Sequence, residues 1–456
     1  MPAPVPCIVL AALLQGPPVA EPEAFVSVHD PRPDGVTILW GLVGEDAADR
    51  YGEHAASLGE QHLFVSDAAG TEVSPPMGFA PVANRNVFVV RGLAPGTTYS
   101  YRIDWQGREV CPRTPPKQFR TWPDPSLPTP EFAFFAFGDY GLGGDVELNL
   151  ARVMSRQMAS DATLQFVLTL GDNIYAGGGD HRITAEMAAS YRTPIGNLPG
   201  SGVLDIDWRG KFLRPFASLL EALPFFPALG NHDGSDSENQ NDLAQHRDNF
   251  ILPTPPGQPE DRYYTFQYGR DVAFFCLDTT SNAESSGARP APLSAPDAPQ
   301  RVWLVKALDS CRAKHRIAYF HHPPFTAGPA HQSDPVVEQL LRDVLVPRGV
   351  RVVLCGHEHN YQESGPLELC AGKPPVCCFV SGGGGSARGE DVSKKLNGAR
   401  LTAFLGKPHV LKCRYADDEL VVQLLGEAGE MLQPIDADGE PLDPERVVDL
   451  GADSSR

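Results

Sequence analysis

At 456 residues the chain exceeds what one core ordinarily organises, and its 42% apolar content is enough for two domains or more. A formal charge of −19 argues against sequence-independent nucleic-acid binding and against anionic membrane surfaces, both of which need clustered Lys and Arg. No apolar run reaches the length of a membrane span, which predicts a soluble protein, and the nine cysteines show no CxxC or zinc-finger spacing.

Residues 1–22 contain CIVLAALL (Cys7 to Leu14), an apolar run of signal-peptide size. No Lys or Arg precedes it, and Pro2, Pro4 and Pro6 crowd its start. It reads either as a weak export signal or as a first strand, so the compartment stays open between cytoplasm and export.

Residues 23–122 read as all-β. FVSVH, VTILWGL, HLFVS, NVFVVRGL and TYSYRI are short runs rich in β-branched and aromatic residues, parted by Gly, Pro and Asp. Trp40 is expected in the core. The stretch from Leu93 to Tyr99 resembles the tyrosine corner of fibronectin-type sandwiches, so a fibronectin type III-like domain is expected here. PDPSLPTP (123–130), with Pro at 123, 125, 128 and 130, is then a stiff connector and the expected domain boundary.

From 131 to 456 the pattern becomes α/β. FAFFAF (132–137) and FVLTL (166–170) are continuous apolar runs, as expected of strands buried on both faces. Between them Val146, Leu150, Val153, Met154 and Met158 form a helical core stripe. VAFFCL, RIAYF and RVVLC repeat the strand pattern. Cys276 and Cys355 in these runs read as buried thiols, and Cys370, Cys377 and Cys378 are placed to form one disulfide. GGGG (382–385) lacks a following GK[ST], so a strand-to-loop turn is expected rather than a nucleotide loop. HVLKCRYADDELVVQLL reads as a closing hairpin.

Five apolar runs end in metal-ligand types: Gly138-Asp139-Tyr140-Gly141, Gly171-Asp172-Asn173-Ile174-Tyr175, Gly230-Asn231-His232-Asp233, His321-His322-Pro323-Pro324 and Gly356-His357-Glu358-His359. Sites in open α/β sheets gather at the carboxyl ends of strands, so these blocks are expected to converge. The set GDxG, GDxxY, GNH, HxP, GHxH resembles the calcineurin-like metallophosphoesterases, and within them the purple acid phosphatases. LGDNIY, LGNHD and LCGHEHN look closest to the tartrate-resistant branch, which lacks an N-terminal sandwich. The resemblance implies a layered α/β/β/α sandwich and two metal ions, one held by Asp139, Tyr175 and His359, the other by Asn231, His321 and His357, with Asp172 bridging. Phenolate with carboxylate suits Fe(III), and the partner ion would be divalent Fe, Zn or Mn.

Many relatives carry DxH where this chain has Asp139-Tyr140-Gly141, and Tyr175 can fill that vacancy. With Fe(III), a divalent ion, two carboxylates, a phenolate and one hydroxide, the site keeps a formal charge of about +1, a positive spot for an anionic substrate. His232 resembles the family's histidine near the leaving group and is assigned phosphate contact or general acid. His331 is a candidate substrate-facing histidine. His322 reads as a loop or supporting residue, and Glu358 is expected to point away from the site. The implied reaction is in-line attack of a metal-activated hydroxide on a phosphate monoester of a small phosphorylated substrate. A phosphodiesterase or nucleotide hydrolase would use the same ligands, with the choice made in loops 176–210 and 281–300. A non-catalytic binding protein on this fold would show degenerate ligands, and no block is degenerate.

Overall fold

The computed structural model describes residues 23–43, 61–73, 77–82, 85–175, 208–233, 244–253, 262–280 and 293–451. The Cys7 to Leu14 run and most of loops 176–210 and 281–300 lie outside the described residues.

The first part is built from β1 (Glu23–Arg32), β2 (Gly35–Val43), β3 (Gln61–Ser66), β4 (Glu72–Val73), β5 (Met77–Val82), β6 (Arg85–Val90), β7 (Thr98–Trp105), β8 (Arg108–Glu109) and β9 (Lys117–Arg120). They form two antiparallel sheets, β1-β2-β6-β5 and β4-β3-β7-β8, with β9 also on β7. Val26, Ile38 and Trp40 from one sheet share a core with Leu63, Val65 and Ile103 from the other. Trp40 is fully buried, as expected, with its indole N–H donated to Gln61. The Tyr99 hydroxyl accepts the Ala94 N–H at 3.0 Å, which closes the turn before β7. Strand β5 was not legible in the sequence because it carries Pro81. Its place at the sheet edge tolerates a residue without an N–H.

This sandwich lies directly on the second part. Phe25 enters the other unit's core, and the Tyr101 hydroxyl donates to the Glu221 carbonyl at 2.7 Å. Trp122, just before the Pro-rich stretch, packs among Phe166, Phe226, Phe266 and Tyr268. Within that stretch the Thr129 N–H donates to Asp271 at 2.9 Å, and Thr129 Oγ1 accepts the Asp271 N–H at 2.7 Å, so the connector is fastened down.

The second part begins with β10 (Phe132–Phe137), β11 (Leu164–Leu170) and β12 (Phe225–Ala228), which are mutually parallel. Then come β13 (Tyr264–Tyr268), β14 (Val272–Cys276), β15 (His315–Tyr319), β16 (Val350–Cys355), β17 (Tyr361–Glu363), β18 (Cys377–Ser381), β19 (Ala403–Leu405), β20 (Val410–Ala416), β21 (Glu419–Leu425) and β22 (Glu445–Asp449). They assemble into two mixed sheets, β12-β11-β10-β20-β21-β22 and β13-β14-β15-β16-β18-β17-β19. Side-chain alternation makes the layers. Phe132, Phe134 and Ala136 face the core between the sheets, where Val272 and Phe274 of the other sheet also lie. Ala133, Phe135 and Phe137 face outward under the helix Asp145–Ser160, which contributes Leu150, Val153 and Met154. On the opposite outer face Ala273 and Phe275 lie under the helices Pro299–Ser310 and Pro335–Leu340. The order is therefore helix, sheet, sheet, helix.

The expected hairpin is β20–β21, turned at Asp417-Asp418 with φ of 49° and 64°, and it also pairs with β10. GGGG follows β18 as a loop, with the Gly384 N–H on the Gly138 carbonyl. The expected disulfide is absent. Cys370, Cys377 and Cys378 are unbridged: Cys377 and Cys378, adjacent in β18, face opposite layers, and the Cys370 thiol donates to the Arg342 carbonyl. Among the described residues no helix is long and apolar enough to cross a membrane.

Candidate metal centre

Three blocks use the same local device. At the ends of β10, β11 and β16, a glycine precedes a residue held in the left-handed region: Asp139 at φ 59°, Asp172 at 51° and His357 at 72°. Such a backbone costs about 1–3 kcal/mol per residue, and it turns three side chains off their strands toward one point. Close packing around that point leaves no room for side chains at Gly230 and Gly356. A Cβ at Gly230 would meet Asp172 N at 2.1 Å, and one at Gly356 would meet the Leu170 carbonyl oxygen at 2.6 Å.

Each carboxylate is fixed by one oxygen and presents the other. Asp172 Oδ1 accepts the His232 N–H at 2.8 Å, and Asp139 Oδ2 accepts the His357 N–H at 2.8 Å. On one side, the Tyr175 hydroxyl lies 2.9 Å from Asp172 Oδ2, 3.1 Å from Asp139 Oδ1 and 3.1 Å from His359 Nε2. On the other, His321 Nε2 lies 3.3 Å from Asp172 Oδ2, 3.1 Å from Asn231 Oδ1 and 3.1 Å from His357 Nδ1. The two groups meet at Asp172 Oδ2. The structure thus brings Asp139, Asp172, Tyr175, Asn231, His321, His357 and His359 together around one point.

The donors fit metal ions. Bonds of about 2.1 Å place neighbouring ligands of one ion about 3 Å apart, the spacing seen here. The Tyr175 hydroxyl has one proton for two carboxylate oxygens, so it cannot donate fully to both. His321 Nδ1 lies 2.8 Å from the Leu170 carbonyl, which can only accept, so Nδ1 carries a proton and Nε2 is the nitrogen turned to the group.

Electrostatics point the same way. Burial opposes charge at Asp172, yet His321 and His232 outweigh it and hold the carboxyl well below its usual range. At His321 burial is outweighed by Asp172 and Asp139, which lift the imidazole to about 9. Burial and the same two carboxylates push the Tyr175 phenol well above 10, so a phenolate there needs a cation beside it.

His232 and His331 stand at the partly exposed rim. The His232 ring lies 4.5 Å from the Tyr175 ring, and the His331 ring overlies His357 at 3.9 Å. Burial, then the Arg388 guanidinium, hold His331 down at about 4. The 326–333 loop that carries it lines a cavity of about 420 Å³.

Several supporting residues were not assigned from the sequence. Asp233 accepts the Gly230 N–H and both the backbone and side-chain N–H of Asn173, tying two ligand blocks together. Burial and nearby Asp172 raise it to about 7. The available signal was a polar residue close behind two ligand positions, Asn173 after Asp172 and Asp233 two beyond Asn231. Lys211, buried in the helical stretch Arg209–Leu213, donates to the Tyr175 carbonyl at 2.6 Å, and nothing in its own surroundings in the sequence marks it. Glu358 does point away, into a second task. With Asn360 and Gln362 it grips the 326–333 loop through the N–H groups of His331 and Ala327 and the Gly328 carbonyl. His322, expected to play a supporting part, is buried with its ring 4.5 Å from that of His357.

The sequence model of the calcineurin-like phosphoesterase family matches residues 144–361. The chain carries a calcineurin-like phosphoesterase domain. That places it among the hydrolases of phosphoesters, and the matched stretch holds every ligand-type block except the one at Asp139. The chain is 26% identical over 258 residues to human tartrate-resistant acid phosphatase type 5, covering 51% of this chain and 69% of that protein. It is 21% identical to purple acid phosphatase 17 of Arabidopsis thaliana, covering 68% and 85%. In fold it is similar to PhoD (TM-score 0.64, 17% identity, 94% of this chain and 92% of that one). It is also similar to a purple acid phosphatase from yellow lupin seeds (TM-score 0.60, 15% identity, 90% and 73%).

Proposed function

We propose that the chain is a dinuclear-metal phosphoesterase of the acid phosphatase kind, acting on phosphate monoesters. The observation that carries this reading is Asp172 Oδ2, 2.9 Å from the Tyr175 hydroxyl and 3.3 Å from His321 Nε2, and so within reach of both donor groups. Asp139, Tyr175 and His359 would hold one ion, and Asn231, His321 and His357 the other, with Asp172 between them. The phenol suits Fe(III), and the imidazole and amide donors suit divalent Fe, Zn or Mn. When bound, such a pair supplies Lewis acidity toward a phosphoryl oxygen and strongly acidifies water.

The protein's own groups do the remainder. Asp172 and Asp139 keep their positions because backbone N–H groups hold their second oxygens. His232 Nε2, 4.0 Å from Asp172 Oδ2, stands where it can donate to a phosphoryl oxygen or to the departing alkoxide. His331, neutral above about pH 4, offers a hydrogen bond to the substrate from the neighbouring loop. For the N-terminal sandwich we propose the fibronectin type III kind, on the Tyr99 hydroxyl that accepts the Ala94 N–H.

Metal content measured together with an absorption spectrum tests the centre. Two equivalents, with a visible tyrosinate-to-iron band, are expected. Fewer than two would overturn the dinuclear reading, and a colourless protein with two zinc or manganese ions would overturn the iron assignment alone. Kinetics on aryl phosphate mono- and diesters test the substrate class, and a preference for the diester would overturn the monoester reading.

A further inference from the structure

We propose that His322 is a third imidazole of the His321–His357 group, presenting Nε2 to the ion held there. The inference rests on the dinuclear reading and adds a ligand to it.

His322 follows His321 in the sequence His321-His322-Pro323-Pro324 at the end of β15. One hydroxyl clamps it. Thr279 Oγ1 lies 2.9 Å from His322 Nδ1 and accepts the His322 backbone N–H at 3.1 Å. The clamp fixes both the ring plane and its height, and it occupies Nδ1. The opposite nitrogen, Nε2, is buried without a hydrogen-bond partner among the described residues, in a side chain only 4% exposed. A buried polar atom in that state is costly unless something meets it. The described protein groups nearby do not meet it: His321 directs its Nδ1 proton to the Leu170 carbonyl, and His357 Nδ1 faces His321.

The neighbours instead point to a cation. One ligand nitrogen each from His321, His322 and His357 lie within 4.8 Å of one another. The rings of His322 and His321 stand edge to face, with centroids 5.0 Å apart, and His322 lies 4.5 Å from His357. An ion equidistant from nitrogens so placed needs each to move inward by less than about 1 Å to reach a bond of about 2.1 Å. A third neutral imidazole adds no charge. It makes the site more nitrogen-rich and thus favours zinc or iron(II) over manganese. The other donor group contains only one imidazole, from His359, so His322 widens the chemical difference between the two positions.

The test uses the full chain, stripped of metal and titrated with zinc against a chromophoric chelator, then with cobalt(II) read by its visible d–d bands. His322→Phe keeps the ring volume and removes both nitrogens, and His322→Ala serves as a second variant; circular dichroism shows which are folded. In a folded variant the weaker of two zinc sites is expected to lose affinity about 10–100-fold and its cobalt bands to shift. Thr279→Val, which keeps the imidazole but frees it from its clamp, should weaken the same site less. A folded His322 variant with both affinities and the cobalt spectrum within twofold of the parent overturns this ligand while leaving the dinuclear centre intact. A parent protein that takes up fewer than two ions overturns the dinuclear reading and this ligand with it.

Discussion

Glu358 Oε2 accepts the backbone N–H of His331 at 2.8 Å, from the position between the two inward-facing histidines of Gly356-His357-Glu358-His359. Along this segment alternate residues serve opposite sides. His357 and His359 face the centre, while Glu358, Asn360 and Gln362 are buried against the 326–333 loop. Glu358→Ala should release the loop and leave the donors in place. We expect kcat/KM to fall about 10–100-fold, mainly through KM, with metal content unchanged. Glu358→Gln, which retains an acceptor oxygen, should recover most of that loss. Steady-state kinetics beside metal analysis decides it, and an unaltered KM in the alanine variant would refute the role.

Asp172→Ala takes an oxygen from both donor groups. Activity should fall by more than about a hundredfold, and metal content should drop at both positions rather than one. Tyr175→Phe removes the phenol alone and is expected to abolish the visible band while the second position stays filled. Metal stoichiometry and absorption spectra of the two variants give the answer; substantial turnover in Asp172→Ala would count against the whole scheme.

The role of Gly141 is close approach. A Cβ there would meet the Asn173 carbonyl oxygen at 2.1 Å, and the Gly141 carbonyl accepts the Tyr175 N–H at 2.9 Å. Gly141→His should therefore fail to restore a ligand in a Tyr175→Phe background, and it should destabilise the fold by about 1–3 kcal/mol through overpacking. Thermal denaturation with metal analysis checks both parts. A stable double variant holding two ions would be the contrary result.

His409, beneath the glycine loop, is one source of acid sensitivity in the fold. Its ring is fully buried between the Lys407 carbonyl, on Nδ1, and Ser381 Oγ, on Nε2, and burial holds it at about 4. The folded value lies below that of the unfolded chain, near 6.5, so the unfolded state takes up a proton first as pH falls. Stability from this group is complete above about pH 6.5 and is lost between there and about 4, amounting to about 3 kcal/mol in full. Denaturant unfolding at pH 7 and pH 4.5 should show a smaller drop for His409→Gln than for the parent. Equal drops would assign the acid limb to other groups.

Much of the centre was legible because each ligand-bearing block begins within two residues of the end of a buried strand. Continuous apolar runs such as FAFFAF and RVVLC announce strands covered on both faces, and the residues just past such a strand must emerge at the sheet edge. The grip of Glu358, Asn360 and Gln362 on the loop was not legible, since it depends on a partner segment some thirty residues earlier that has no periodic mark of its own. Strand β5 and the absence of a disulfide were missed for local reasons: Pro81 disguised an edge strand, and the neighbouring Cys377 and Cys378 face opposite layers of β18.

The sequence by itself determined the kinds of donor and their order along the chain, from Asp139 through Asp172, Tyr175, Asn231 and His321 to His357 and His359. Residue type and position after a strand are local properties. Only the tertiary structure decided which atoms meet: Nδ1 of His357 but Nε2 of His359, and one oxygen of Asp172 turned to both groups while the other is held by the His232 N–H. Those choices depend on left-handed backbone at Asp139, Asp172 and His357 and on the packing of two sheets against each other. Contacts between segments distant in the chain set both, and no local pattern records them.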